Sequence, residues 1–276
     1  NFIYSWKDKY NIFVTYKRSQ NSYSKLSELP SENCFFNIDP FRDDKLKNII
    51  IKCKPDFVVN CIGITKTLIN KNLLPEYEYI NSILPHDLNK ICSNTSSKLI
   101  LLSSDCVFSG KDGNYNEKSI PDANDNYGKT KIKGEVIDCR NTITFRKSTI
   151  GLELNSKHGL LEWFLDQRNE IKGYQNAIFS GLVSTELANA IELVMNKFPN
   201  MYGLFNIAGE PISKYLLLHK INKVFKRRAT IIADTKFMCD RSLDGSKFHN
   251  YSGYIAPSWD SMLSDLSNQI KERNDI

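Results

Sequence analysis

The chain has 276 residues, 41% of them hydrophobic and 25% charged, which is ordinary globular usage and excludes a disordered or fibrous protein. Seven Cys without a Cys-x-x-Cys pair, together with four scattered His, argue against a disulfide framework or a structural zinc and for reduced thiols in a cytoplasm. The formal charge of +6 is spread along the chain and no apolar stretch approaches the roughly 20 residues of a membrane helix, so the expected partner is a small phosphorylated ligand, with no nucleic acid and no membrane.

Taken in order, residues 1–10 read as a helix running into a strand at 11–16. Short apolar runs at 34–37, 56–60, 98–103 and 142–146 read as buried strands, and 43–53, 76–94 and 127–138 carry helical spacing between them. This alternation predicts βα units on a parallel sheet, an α/β fold of the doubly wound Rossmann type. Such a fold places a strand and a Gly-rich turn ahead of its first helix, because only Gly lets the backbone approach a pyrophosphate at a helix N-terminus. The expectation is that roughly 10–25 residues carrying them belong before Asn1. After Gly151 the pattern changes to helices at 159–168, 185–197 and 213–225 and a strand at 204–208, with Ser184 reading as a helix cap. Residues 151–276 are therefore expected to form mainly a smaller lobe, with returns to the first domain at 1–150.

The chemistry-bearing residues are Ser103, Ser104 and Asp105, which end the strand at 98–103, and Tyr127 and Lys131, which lie four apart on one helical face. In a chain with 13 Tyr and 37 Lys plus Arg, chance supplies such Tyr–basic pairs unaided, and a surface pair is the plain alternative. Placement favours chemistry: the turn-rich run from Pro121 to Asn126 is a helix start with Asp or Asn at the cap. A phenol with a pKa near 10 exchanges protons poorly at neutral pH unless a cation stabilises its anion, and Lys131 is one turn away. Ser104 ends a parallel strand where ligands gather in open α/β sheets, so its hydroxyl is placed to hold a carbonyl. Just after the strand at 11–16, Lys17 and Arg18 stand where an acidic residue would grip the ribose 2′-hydroxyl of NAD; cations there suit the 2′-phosphate of NADP.

The stretch from Pro55 to Glu135 resembles the dTDP-4-dehydrorhamnose reductase family of extended short-chain reductases. Pro55-Asp56-Phe57-Val58-Val59-Asn60-Cys61-Ile62-Gly63 looks like that family's strand and turn beside the cofactor, and Asn81-Ser82-Ile83-Leu84-Pro85 like its Asn-x-x-x-Pro segment. Leu102 to Gly110 resembles its Ser-Thr-Asp-Tyr-Val-Phe-Asp-Gly signature, and Tyr127-Gly128-Lys129-Thr130-Lys131 with Gly134-Glu135 its Tyr-Gly-x-(Ser/Thr)-Lys-x-x-Gly-Glu. The resemblance implies NADPH, with NADH as the other option, and a nucleotide-linked 4-keto-6-deoxy sugar in polysaccharide biosynthesis. It implies Ser104 as carbonyl anchor, Tyr127 as proton donor, and Lys131 as the group that lowers the Tyr pKa and holds the nicotinamide ribose. Cys61, Ile62, Gly63, Ser103, Tyr127 and Lys131 would line the cofactor, Asp39 would lie near its adenine, and Thr65 and Asp105 near its junction with substrate.

Two further positions depart from that family, Cys106 where Tyr is usual and Lys147 where Thr is common. Trp163 is a candidate for stacking on base or sugar, with core packing as its alternative. Arg241 is expected in a surface ion pair, with a nucleotide phosphate as the other option. The same residues would also serve an NAD-dependent epimerase or dehydratase, or a non-catalytic subunit that keeps the fold for binding. No metal ligand set is read, and a homodimer is left open.

Overall fold

The computed structural model of the protein describes residues 2–23, 29–65, 74–153 and 159–272. Helix α1 (Phe2–Trp6) precedes a short strand β1 (Val14–Thr15), which pairs in parallel with β2 (Cys34–Phe35). Helix α2 (Lys45–Cys53) ends at Lys54, in the left-handed conformation (φ 43°), and turns into β3 (Phe57–Asn60). Helix α3 (Leu74–Glu78) passes through a π turn at Tyr79–Ile83 into α4 (Leu84–Thr95). Then come β4 (Lys98–Leu102), α5 (Asn126–Lys133), β5 (Thr142–Arg146), β6 (Thr149–Ile150) and α6 (Leu160–Leu165). The remainder is β7 (Ile171–Phe179), β8 (Leu182–Val183), α7 (Ser184–Lys197), β9 (Gly203–Asn206), β10 (Ile212–Ser213), α8 (Lys214–Val224), β11 (Ile231–Asp240), α9 (Ser246–Ser252) and α10 (Trp259–Glu272).

The central sheet has the order β3-β4-β5-β9, all parallel, as the alternation of strand and helix predicts. Its strands are covered on both faces, so their sequences are continuous apolar runs whose side chains alternate between two packing layers. Leu99 and Leu101 of β4 enter one layer with Leu84 and Leu88 of α4 and Ile50 of α2; Ile100, with Ile143 and Phe145 of β5, enters the other, with Leu187 and Ile191 of α7. The two Thr of β5 keep their hydroxyls satisfied inside, Thr142 donating to Asn89 Oδ1 at 2.7 Å and Thr144 to the Val136 carbonyl at 2.6 Å. A second sheet, β10-β7-β11, stands on the other side of the C-terminal ends of these strands' cleft and supplies several of its lining residues.

Several expectations change. Helical spacing at 76–94 does not make one helix: Pro85, without an N–H, sits in the first turn of α4, and the ladder widens to a π turn just before it. That turn carries the buried Asn81, whose amide donates to the Ile64 carbonyl at 2.9 Å and whose oxygen accepts from the Ile64 N–H at 3.0 Å. The strand expected at 11–16 narrows to Val14–Thr15. Ser184 is not a cap, since Val183 occupies that position and the buried Ser184 hydroxyl has no hydrogen-bond partner among the described residues. The strands β7 and β11 were not expected, and β9, from the second half of the chain, lies beside β5 in the central sheet.

Candidate active site

The start of α5 packs against the short turn at Asp105–Val107 that follows β4. Asp125 caps α5, its carboxylate accepting from the Gly128 N–H at 2.9 Å, and this presents Tyr127 in the first turn toward the end of β4. Ser104 leaves β4 in extended conformation; its hydroxyl accepts from the Cys106 N–H at 3.1 Å and donates to Asp105 at 3.1 Å. The Tyr127 phenol is pushed above its ordinary value by burial, with Cys106 and Asp105 acting the same way and a hydrogen bond with Ser104 acting against them. Ser104 and Tyr127 are thus brought together, with Asp105 and Cys106 beside them.

Lys131 lies one turn after Tyr127 on α5 and is anchored at the end of β4. Its ammonium donates to the Leu102 carbonyl at 2.8 Å, and burial and Lys147 lower its pKa to about 8 while Glu135 holds it up. Desolvation is the largest influence on the Tyr127 phenol and pushes it up. Ser103 also faces inward: its hydroxyl donates to Glu135 Oε1 at 2.7 Å, and Glu135 in turn accepts both arms of Arg146 at 2.9 and 2.7 Å. Lys147, the departure after Arg146, is pushed down by burial and held up by Cys61, Asp105 and Cys106; its carbonyl accepts from the Asp105 N–H at 3.2 Å, and its ammonium has no hydrogen-bond or ion-pair partner among the described residues. An ammonium without a protein acceptor, beside Lys131 at the ends of parallel strands, fits a ligand that brings hydroxyls and phosphate oxygens.

Beyond Asp105 and Cys106 opens a cavity of about 340 Å³, lined also by Trp163, Tyr174, Lys214 and Arg241. Trp163 does not pack in the core; it is 39% exposed and faces this cavity. Arg241 is not in a surface ion pair: its Nε donates to the Phe108 carbonyl at 2.9 Å, and it lies 3.6 Å from Cys106 Sγ. Lys214, over the Phe179 ring at 4.4 Å and lowered by burial, and Tyr174 were not singled out from the sequence. Both come from the second sheet and its neighbouring helix, whose meeting with Asp105 no local spacing announces.

The cofactor candidates divide. Cys61, Ile62 and Gly63 follow β3, with the Ile62 N–H donating to Asn60 Oδ1 at 3.0 Å, and Thr65 is exposed at the end of that described segment. Lys17 is not available as a bare cation: its ammonium pairs with Glu76 and lies 3.9 Å from Asp39, which Arg42 also approaches at 3.6 Å. Arg18 is exposed and its side chain has no partner among the described residues.

Gly128 ties the site to packing. A Cβ there would lie 2.3 Å from both Ala123 Cβ and the Cys106 carbonyl oxygen, so Gly128→Ala must displace the first turn of α5 and Tyr127 with it. It is expected to cost about 1–3 kcal/mol in denaturant unfolding, and to weaken any Tyr127-dependent activity more than the cofactor affinity.

The family described as RmlD substrate binding domain matches residues 17–169. Methionine adenosyltransferase 2 subunit beta of Xenopus laevis is 32% identical over 90 residues, 33% of this chain and 27% of that protein, so the match spans well under half of the curated relative. Among solved structures, dTDP-4-dehydrorhamnose reductase of Bacillus anthracis in complex with NADP superposes with a TM-score of 0.75 at 16% identity, over 94% of this chain and 98% of that one. The Bordetella bronchiseptica enzyme WbmG in complex with NAD and UDP superposes with a TM-score of 0.77 at 16% identity, over 99% and 91%. At these identities the structural likeness is one of fold.

Proposed function

Because the chain belongs to the RmlD substrate binding domain family, we propose that it is a nicotinamide-dependent short-chain reductase that reduces C4 of a nucleotide-linked 4-keto-6-deoxy sugar. Residues 1–150 then hold the dinucleotide and 151–276 mainly hold the sugar nucleotide, in the setting of cell-surface polysaccharide synthesis. The observation that carries this is the Ser104–Tyr127 pair at the end of β4, opening onto a cavity walled by Trp163, Tyr174, Lys214 and Arg241. The solved structures of like fold with NADP, and with NAD and UDP, support the pairing of cofactor and nucleotide.

The bound cofactor, NADPH or NADH, supplies the hydride. Ser104 donates a hydrogen bond to the carbonyl oxygen and orients it against Tyr127. Tyr127 is a buried phenol that stays protonated at neutral pH, and it gives its proton to the developing alkoxide, which is more basic still. Lys131, anchored on the Leu102 carbonyl, would hold the nicotinamide ribose and supply positive charge as the phenolate forms. Cys61, Ile62 and Gly63 flank the cofactor, and Asp105 and Trp163 hold the sugar. Lys131 gives the reaction its pH dependence. Its charge is complete well below about 8, half lost at that value and gone well above it, while Tyr127 keeps its proton there. A plot of kcat/KM against pH is expected to fall above about 8; a profile flat up to the ordinary lysine range near 10.4 would sink this role.

The test is to supply the full-length protein with NADPH deuterated at its transferable position and a nucleotide-linked 4-keto-6-deoxyhexose. Deuterium at C4 of the product supports the reading. Substrate epimerised or dehydrated without net cofactor use would move the chain to the epimerase or dehydratase class. A second reading, a subunit that keeps the fold for binding, is favoured by the likeness to methionine adenosyltransferase 2 subunit beta; cofactor binding without any turnover would favour it.

A further inference from the structure

The charged group at the ends of β1 and β2 is built from three parts of the chain. The β1–β2 pairing continues past the strands, the Tyr16 N–H donating to the Phe35 carbonyl at 2.8 Å and the Ile38 N–H to the Tyr16 carbonyl at 3.0 Å. These bonds bring Lys17 and Asp39 to the same sheet end, 3.9 Å apart. Glu76 then arrives from α3, after β3, and takes the Lys17 ammonium. The partners are unequal: the Glu76 side chain is 10% exposed and that of Lys17 58%. The exposed Lys17 has the reach to turn to another anion, but doing so leaves Glu76 a nearly buried carboxylate without its cation, and that cost opposes the turn.

We propose that Glu76 sets the choice between NADPH and NADH by competing with the cofactor's 2′-phosphate for Lys17. The inference rests on the reading that the chain binds a nicotinamide dinucleotide with its adenosine ribose at this sheet end. A 2′-phosphate reaching the site draws Lys17 away, exposes Glu76 and Asp39 as like charges to the incoming dianion, and leaves Arg18 as a contact whose side chain has no carboxylate partner among the described residues. A 2′-hydroxyl does none of this and can donate to either carboxylate. The basic pair at Lys17 and Arg18 thus does not confer NADPH selectivity by itself, and the protein accepts both cofactors.

The test measures dissociation constants of NADPH and NADH on the full-length protein at one ionic strength, from the change in nucleotide fluorescence. The wild type is expected to bind the two within about tenfold of each other, and Glu76→Gln, of the same shape without the charge, to tighten NADPH by about tenfold or more, the worth of a freed charge-assisted hydrogen bond. NADH should not tighten, and adding Lys17→Met to Glu76→Gln should remove the gain. Asp39→Asn serves as a second variant, expected to shift the ratio the same way by less, and a thermal transition confirms that each variant is folded. An unchanged NADPH-to-NADH ratio in folded Glu76→Gln, or equal tightening of both, would overturn the proposal while leaving the dinucleotide reading intact. Binding of neither cofactor by the wild type would overturn both together.

Discussion

Tyr127→Phe is expected to lower kcat by about 10²–10⁴-fold, the usual worth of a positioned general acid, while the dissociation constant for NADPH changes far less, since the ring that lines the cofactor is retained. The ring is retained, so the start of α5 keeps its packing and the loss is confined to one hydroxyl. That hydroxyl sits in a desolvated corner with Ser104, Asp105 and Cys106, where water is a poor substitute donor. Ser104→Ala should also be slow, but for another reason: it removes the group that orients the carbonyl and also the acceptor for the Cys106 N–H. Steady-state kinetics with a parallel binding titration separates the two. A Tyr127→Phe protein that keeps a tenth or more of wild-type kcat would remove the phenol from the mechanism.

Glu135→Ala is expected to be the most destabilising single change near the site. Arg146 and Glu135 form a two-armed pair with side chains 4% and 6% exposed, and Ser103 donates to the same carboxylate. The guanidinium also lies 5.0 Å from the Phe108 ring centroid, and its Nη1 has no partner among the described residues, so the carboxylate is its sole charged acceptor there. Removing one partner of such a pair leaves an uncompensated buried charge and costs about 3–5 kcal/mol, a fall in Tm on the order of 10 °C. Glu135 also holds up the Lys131 pKa, so the alkaline fall in kcat/KM should move below about 8 in any variant stable enough to assay. The linkage runs with the sign of a lowered lysine: folded Lys131 binds fewer protons than the unfolded chain between about 8 and the ordinary lysine value, so its burial penalty eases as the pH rises through that window. A Tm change below about 2 °C would mean the pair contributes little.

The parallel sheet was legible because strands buried on both faces read as near-continuous apolar runs, as Leu99 to Leu102 do. Tyr127 and Ser104 were legible because one follows a helix cap and the other ends a strand, both local signals. What escaped notice is set by tertiary meeting. Strand β7 shows a partial alternation of buried and exposed residues that a period-two reading could have found, but β11 is largely exposed and carries no such pattern. Glu76 is far from Lys17 in sequence, and nothing near either residue announces that α3 will bring a carboxylate to a basic strand end. Lys214 and Arg241 look like solvated charges until the second sheet folds them against Asp105 and Cys106.

The most direct measurement is the loss of reduced-nicotinamide absorbance when the full-length protein is given NADPH and a dTDP-linked 4-keto-6-deoxy sugar. The account predicts oxidation of one NADPH per sugar reduced, dependent on both components and suppressed by Tyr127→Phe. No oxidation with either NADPH or NADH, by a folded protein that binds them, would contradict it and leave the binding subunit as the reading to pursue.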